Sequence, residues 1–243
     1  MERLLELFDP YDVKARLFPA IFTLLPFIIT AYIWYPNLIS LEFIGVNMIV
    51  IICILYFLSK LSRELGYKKQ GILLLKWGGF PTTIMLRLRD KALDDTTKQR
   101  YRSYLTENVK GIVIPDSEEE EVEHSTFYDQ QYESAVNWLR EHRRDKSKFA
   151  IVQTNNASFG FGRNLLGLKP IGIIISLISL LLNLLGVYLR YEMKITLIPL
   201  EIWLSFMFSL LITFSWILII NEKMVKSLAY SYAKSILATC EKN

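Results

Sequence analysis

Histidine and cysteine are almost missing from this chain, with two of each in 243 residues. His124 and His142 are too few for a metal site built on imidazole, and no His–Glu–His zinc spacing is present. Cys53 lies inside an apolar run and Cys240 near the C-terminus, so no disulfide framework is expected. Catalytic motifs are also lacking: there is no Gly-x-Ser-x-Gly, no Walker loop and no Cys–His pair at a workable spacing. The glycines at 160 and 162 do not make a dinucleotide fingerprint, because the third glycine is misplaced. Asp90, Asp94 and Asp95 read as helix caps beside Lys91 rather than as a metal cluster. An enzyme is not expected, and neither is a cofactor or a metal.

Charge is the other absence. Residues 17–34, 43–59, 170–189 and 202–220 contain no charged side chain. As helices, at 1.5 Å per residue, runs of this length cross a hydrocarbon core of roughly 30 Å. They form two tight pairs around a charged middle, residues 60–169, with 19 Lys/Arg and 15 Asp/Glu. Three basic and four acidic residues precede the first run and no small-x-small site follows it, so no cleavable signal peptide is expected.

The fold expected is a mainly α membrane protein: four transmembrane helices in two hairpins, with an inserted small α+β cytoplasmic domain. Its parts are an interfacial helix over 1–16, hairpins over 17–60 and 170–220, the α+β domain over 61–169 and a helical extension over 221–243. Lys60, Arg63, Lys68 and Lys69 follow the second run, Arg163 and Lys169 precede the third, and Lys223 and Lys226 follow the fourth. The hairpin turns hold only Arg190 and Lys194. That asymmetry places both termini and the middle domain in the cytoplasm.

Within the middle domain, Gly78, Gly79 and Pro81 mark a tight turn. Asp94 or Asp95 caps a helix over 96–108, which Gly111 stops. Residues 112–114 and 149–152 read as short strands, and 82–88 as either strand or helix. Six acids within 116–123 suggest a solvated, mobile loop. Asp129 caps a second helix that carries Tyr132, Ala135, Val136 and Leu139 on one face. Residues 159–164 suit a pivot into the third span. Val225, Leu228, Ala229, Tyr232 and Ile236 continue the fourth span's spacing, as one helix of roughly 37 residues.

Two sets of residues are candidates for function. Gly172, Ser176, Ser179, Asn183 and Gly186 recur at steps of four and three and fall on one edge of the third span. Ser205, Ser209 and Thr213 line the fourth. Small and polar residues in lipid need another helix or water, so the stripe is either a packing seam or a pore lining in an oligomer. The second set is basic and aromatic: Arg87, Arg89, Lys98, Arg100, Tyr101, Arg102, Tyr104, Arg143 and Arg144. Such a face holds phosphates and stacks bases, or lies as a solvated surface against anionic lipid.

Trp77-Gly78-Gly79 with Pro81-Thr82-Thr83, then Tyr132-Glu133-Ser134-Ala135-Val136 with Trp138-Leu139, then Gly162-Arg163-Asn164-Leu165-Leu166-Gly167-Leu168-Lys169-Pro170, resemble a family of small bacterial four-span membrane proteins. By architecture the chain also resembles the membrane effectors of anti-phage systems, such as the Hailong type. The resemblance implies a bacterial inner-membrane homo-oligomer, a tetramer by preference. That oligomer would conduct ions in antiviral defence when a nucleotide or oligonucleotide ligand, or a cytoplasmic protein partner, engages the middle domain. The alternative is a non-conducting anchor that recruits a cytoplasmic partner enzyme.

Overall fold

The computed structural model describes residues 10–39 and 44–241. The interfacial helix expected near the N-terminus falls largely outside them. Every regular element among the described residues is helical. In chain order these are α1 (Pro10–Trp34), α2 (Ile44–Trp77), α3 (Pro81–Leu86), α4 (Asp95–Asn108), α5 (Glu118–Glu123), α6 (Ser125–His142), α7 (Ala150–Tyr191), α8 (Leu200–Phe214) and α9 (Glu222–Leu237). Four helices among the described residues are long and apolar enough to cross a membrane. The chain divides into two compact units, Met1–Gln70 with Gly160–Val225 and Gly71–Phe159 with Lys226–Asn243.

The first unit holds the apolar helices. α1 contains Pro19 and Pro26, each lacking a backbone N–H, and the Thr23 hydroxyl donates to the Pro19 carbonyl (2.7 Å). α2 turns Val46, Ile49, Ile52 and Phe57 outward, as a helix facing acyl chains does. Its Gly66 lies against α7, where a Cβ on Gly167 would sit 2.5 Å from the Gly66 nitrogen. Nearby, Asn164 donates to the Ala15 carbonyl (2.7 Å).

α8 does not run on as one long helix. It ends in a π-helical turn, Ser215–Ile219, and Ile220 is extended. Asn221 then accepts from the Met224 N–H (3.0 Å) and starts α9 as a new helix. Lys169 donates to the carbonyls of Ile217 (3.1 Å) and Ile220 (2.7 Å), which the break leaves without helical partners. Residues 159–164 are helical, with Gly160 and Gly162 inside the continuous helix α7, and the two units divide between Phe159 and Gly160. Gly160 is there for close approach: a Cβ would meet Ala15 at 3.0 Å and the Tyr11 hydroxyl at 2.8 Å.

The second unit packs around Met85, Leu86, Leu105, Tyr132, Leu139 and Ile236. It is all-helical among its described residues, so the α+β expectation is corrected. The segment 149–152 is the start of α7: Asp145 Oδ1 accepts from the N–H of Ser147 (2.8 Å) and of Lys148 (3.0 Å), which turns the chain into a helix. Its short apolar run suits either period, and the cap decides. Residues 112–114 belong to no regular element. Of the segment 82–88, residues 82–86 are helix, with Pro81 at its first position, and Arg87 leaves it in an extended conformation.

The acidic segment is an ordered helix rather than a loop. Ser117 accepts from the Glu120 N–H (3.2 Å), while Glu120 accepts from the Asp116 N–H (3.0 Å), and the run of glutamates suits a helix N-terminus. Asp129 is not a cap, since α6 starts at Ser125. The turn at Gly78 (φ +82°) and Gly79 (φ +130°) and the Asp94 cap on α4 match expectation.

Candidate functional site

The polar stripe on α7 faces α1 and α8 within the protomer. Ser176, Ser179, Asn183, Ser205 and Ser209 are all at most 1 % exposed, and Thr213 is 6 % exposed. Asn183 is the hub. Its Nδ2 donates to Thr30 Oγ1 (3.1 Å), Ser205 Oγ (3.2 Å) and its own helix at the Ser179 carbonyl (3.0 Å). Its Oδ1 accepts from Trp34 Nε1 (3.0 Å), and Thr30 and Ser205 hydrogen-bond to each other at 3.3 Å. One amide therefore ties three helices together where hydrocarbon offers no competing partner.

The two glycines of the stripe act as sockets for aromatic rings. Any Cβ on Gly172 would overlap the ring of Trp216, and one on Gly186 would stand 2.5 Å from Trp34 Cζ2. Trp216 is wholly buried and packs against Phe22, with ring centroids 5.2 Å apart. Arg190 lies over the Trp34 ring at 5.5 Å and donates to its carbonyl (3.3 Å). Trp34, Trp216 and Thr30 were missed in the sequence. A lone tryptophan at each of two span ends reads as an interfacial anchor, and only the facing glycines mark these as packed.

The basic residues of the second unit are mostly engaged by the protein itself. Arg87 makes a two-point ion pair with Asp129 (2.8 and 2.7 Å) and donates to the Gly78 carbonyl (2.6 Å), pinning the glycine turn to α6. Lys98 is buried and donates to the carbonyls of Leu88 (3.0 Å) and Asp90 (2.5 Å). Arg102 donates to the Pro115 carbonyl (2.7 Å) and lies over the Tyr132 ring at 5.9 Å. Tyr101 is in the core. Arg100 pairs with Glu241 (2.7 Å), and Arg89 is exposed. Tyr104 accepts from Arg143 (2.6 Å), and Arg144 pairs with Glu141 (2.6 Å). A Ser-x-x-Lys step at Ser231 and Lys234 is exposed on α9, and its hydroxyl donates back to Ser227 (3.0 Å).

The acidic helix supplies a buried carboxylate that composition concealed. Glu121, 1 % exposed, accepts from the Leu88 N–H with both oxygens (3.0 Å each) and from the Tyr132 hydroxyl (2.8 Å). Burial pushes the Tyr132 hydroxyl well above the ordinary tyrosine range, Arg102 opposes this, and the bond to Glu121 adds to it. Beside it, Tyr128 donates to Glu120, which raises the tyrosine and holds the Glu120 carboxyl low. Glu121→Ala leaves the partly buried Leu88 N–H and the buried Tyr132 hydroxyl without their acceptor. The expected cost is about 2–4 kcal/mol, with Glu121→Gln milder, read as a lower thermal midpoint of the full chain. An unchanged midpoint in the alanine variant would contradict this role.

No group of three or more His, Cys, Asp or Glu side chains able to hold a metal occurs among the described residues. No family model, curated protein or solved structure matches the chain.

Proposed function

We propose that this chain is a non-conducting anchor of the bacterial inner membrane that presents its helical second unit to the cytoplasm for a soluble partner. The observation that carries the reading is the closed hydrogen-bond set around Asn183. The pore reading rested on the same stripe facing water or a sister subunit, and the stripe meets Thr30, Trp34, Ser205 and Trp216 of its own protomer instead. The Asn183 amide therefore finds its partners inside one protomer, without a sister subunit. Support for the orientation comes from the basic residues flanking α2, α7 and α8, against only Arg190 and Lys194 between the paired spans.

Planar-bilayer recording of the purified protein tests the reading. The expected result is no current above the bare lipid, with or without added nucleotide, and a monomer or dimer in detergent. Unitary currents that Asn183→Leu abolishes would sink it and restore the channel.

A further inference from the structure

A cavity of about 200 Å³ opens in the second unit among the end of α6, the start of α7 and α9. Arg140, Arg143 and Arg144 line it, with Gln153, Asn156 and Tyr232 opposite. The one carboxylate on its wall, Glu141, is paired with Arg144. Arg140 lies over the Phe80 ring at 5.7 Å and donates to Asn137 (3.3 Å), while Arg143 lies over Phe149 at 5.1 Å and donates to Tyr104 (2.6 Å). Ring and hydroxyl contacts fix both guanidinium groups in place.

Cations at the end of a helix are favoured by its dipole, which accounts for the charge of this segment. It does not account for three arginines on the wall of one cavity whose single carboxylate is already paired. Like charges gathered on one wall repel one another, and an anion between them offsets that cost. A tetrahedral oxyanion supplies several acceptor oxygens and the opposite charge, the match for which guanidinium is suited.

We propose that this cavity binds a phosphoryl oxyanion, as inorganic phosphate or as the phosphate end of a small phosphorylated molecule. The volume is below the roughly 300–1,000 Å³ of pockets that enclose a whole drug-sized ligand. The phosphoryl group is therefore held inside and the remainder of the molecule stays outside. The site is independent of the anchor reading, which a conductance result decides without touching it.

Calorimetric titration of the full-length protein with inorganic phosphate, in a phosphate-free detergent at low chloride, tests the site. One saturable site per chain is expected, with affinity reduced about tenfold or more in Arg140→Gln by loss of a charge-assisted partner. Asn156→Asp places a carboxylate in the cavity with almost no change of shape and is expected to abolish binding while leaving the thermal midpoint near wild type. Arg89→Gln, at an exposed position, is expected to bind as wild type. Repeating the titration in phosphatidylglycerol nanodiscs separates the sources: unchanged affinity marks a soluble ligand, and phosphate excluded only in the nanodiscs marks a lipid phosphate in the same site. Absence of saturable binding at millimolar phosphate in detergent, or equal affinity in wild type, Arg140→Gln and Asn156→Asp, would overturn the proposal.

Discussion

Gly167→Leu is expected to prevent α7 from reaching α2, and even Gly167→Ala is expected to cost about 3 kcal/mol. A Cβ at this position would stand 2.5 Å from the Gly66 nitrogen, 2.7 Å from the Leu65 carbonyl carbon and 3.0 Å from the Gly66 Cα. All three are backbone atoms, so no side chain can rotate away and the helices must separate. Overpacking in a well-packed core typically costs 1–3 kcal/mol, and a backbone obstacle places this site at the upper end. Separation also strains the neighbouring bond from Asn164 to Ala15 (2.7 Å). Thermal unfolding in detergent, followed by intrinsic tryptophan fluorescence, gives the measurement. Gly71→Ala is the control: nothing lies within 4 Å of its Cβ position, so only helix propensity changes, a gain of up to about 1 kcal/mol. Equal midpoints for Gly167→Ala and wild type would mean that the close approach of the two helices is not required.

Asn183→Leu is the second large expected effect, about 2–3 kcal/mol of lost bundle stability with little change in side-chain volume. Bonds between membrane helices average about 0.6 kcal/mol and reach about 1.7, because the separated helices also find partners. Asn183 makes such bonds to α1 and α8 at once, and its removal leaves Trp34 Nε1 without an acceptor. Thr30 and Ser205 keep their mutual contact at 3.3 Å, which limits the loss. A double-mutant cycle with Ser205→Ala is expected to be non-additive, since both changes remove one shared bond. An additive cycle, or an Asn183→Leu midpoint equal to wild type, would show that the amide is not the tie between the helices.

Nearest-neighbour chemistry made much of the architecture legible. Four long uncharged runs specify helices in lipid because the cost of an unpaired backbone group there is paid residue by residue. The Asp94 cap, the Gly78–Gly79 turn and Gly111 at φ +76° act over three or four residues and were readable for that reason. The Ser117-x-x-Glu120 signature was equally local, but the density of acids concealed it. At 149–152 the apolar run fitted both periods, and the Asp145 cap upstream carried the deciding information.

The sequence by itself determined that this chain has four membrane-length helices and where small and polar residues gather on them. Only the tertiary structure decided what those residues meet. Asn183 bonds to Trp34 and Thr30 from 149 and 153 positions away, and Glu121 receives the Leu88 N–H from 33. Helical periodicity assigns a side chain to a face, but hydrogen bonding and packing need the opposite partner in space, and that partner is set by the folding of the whole chain.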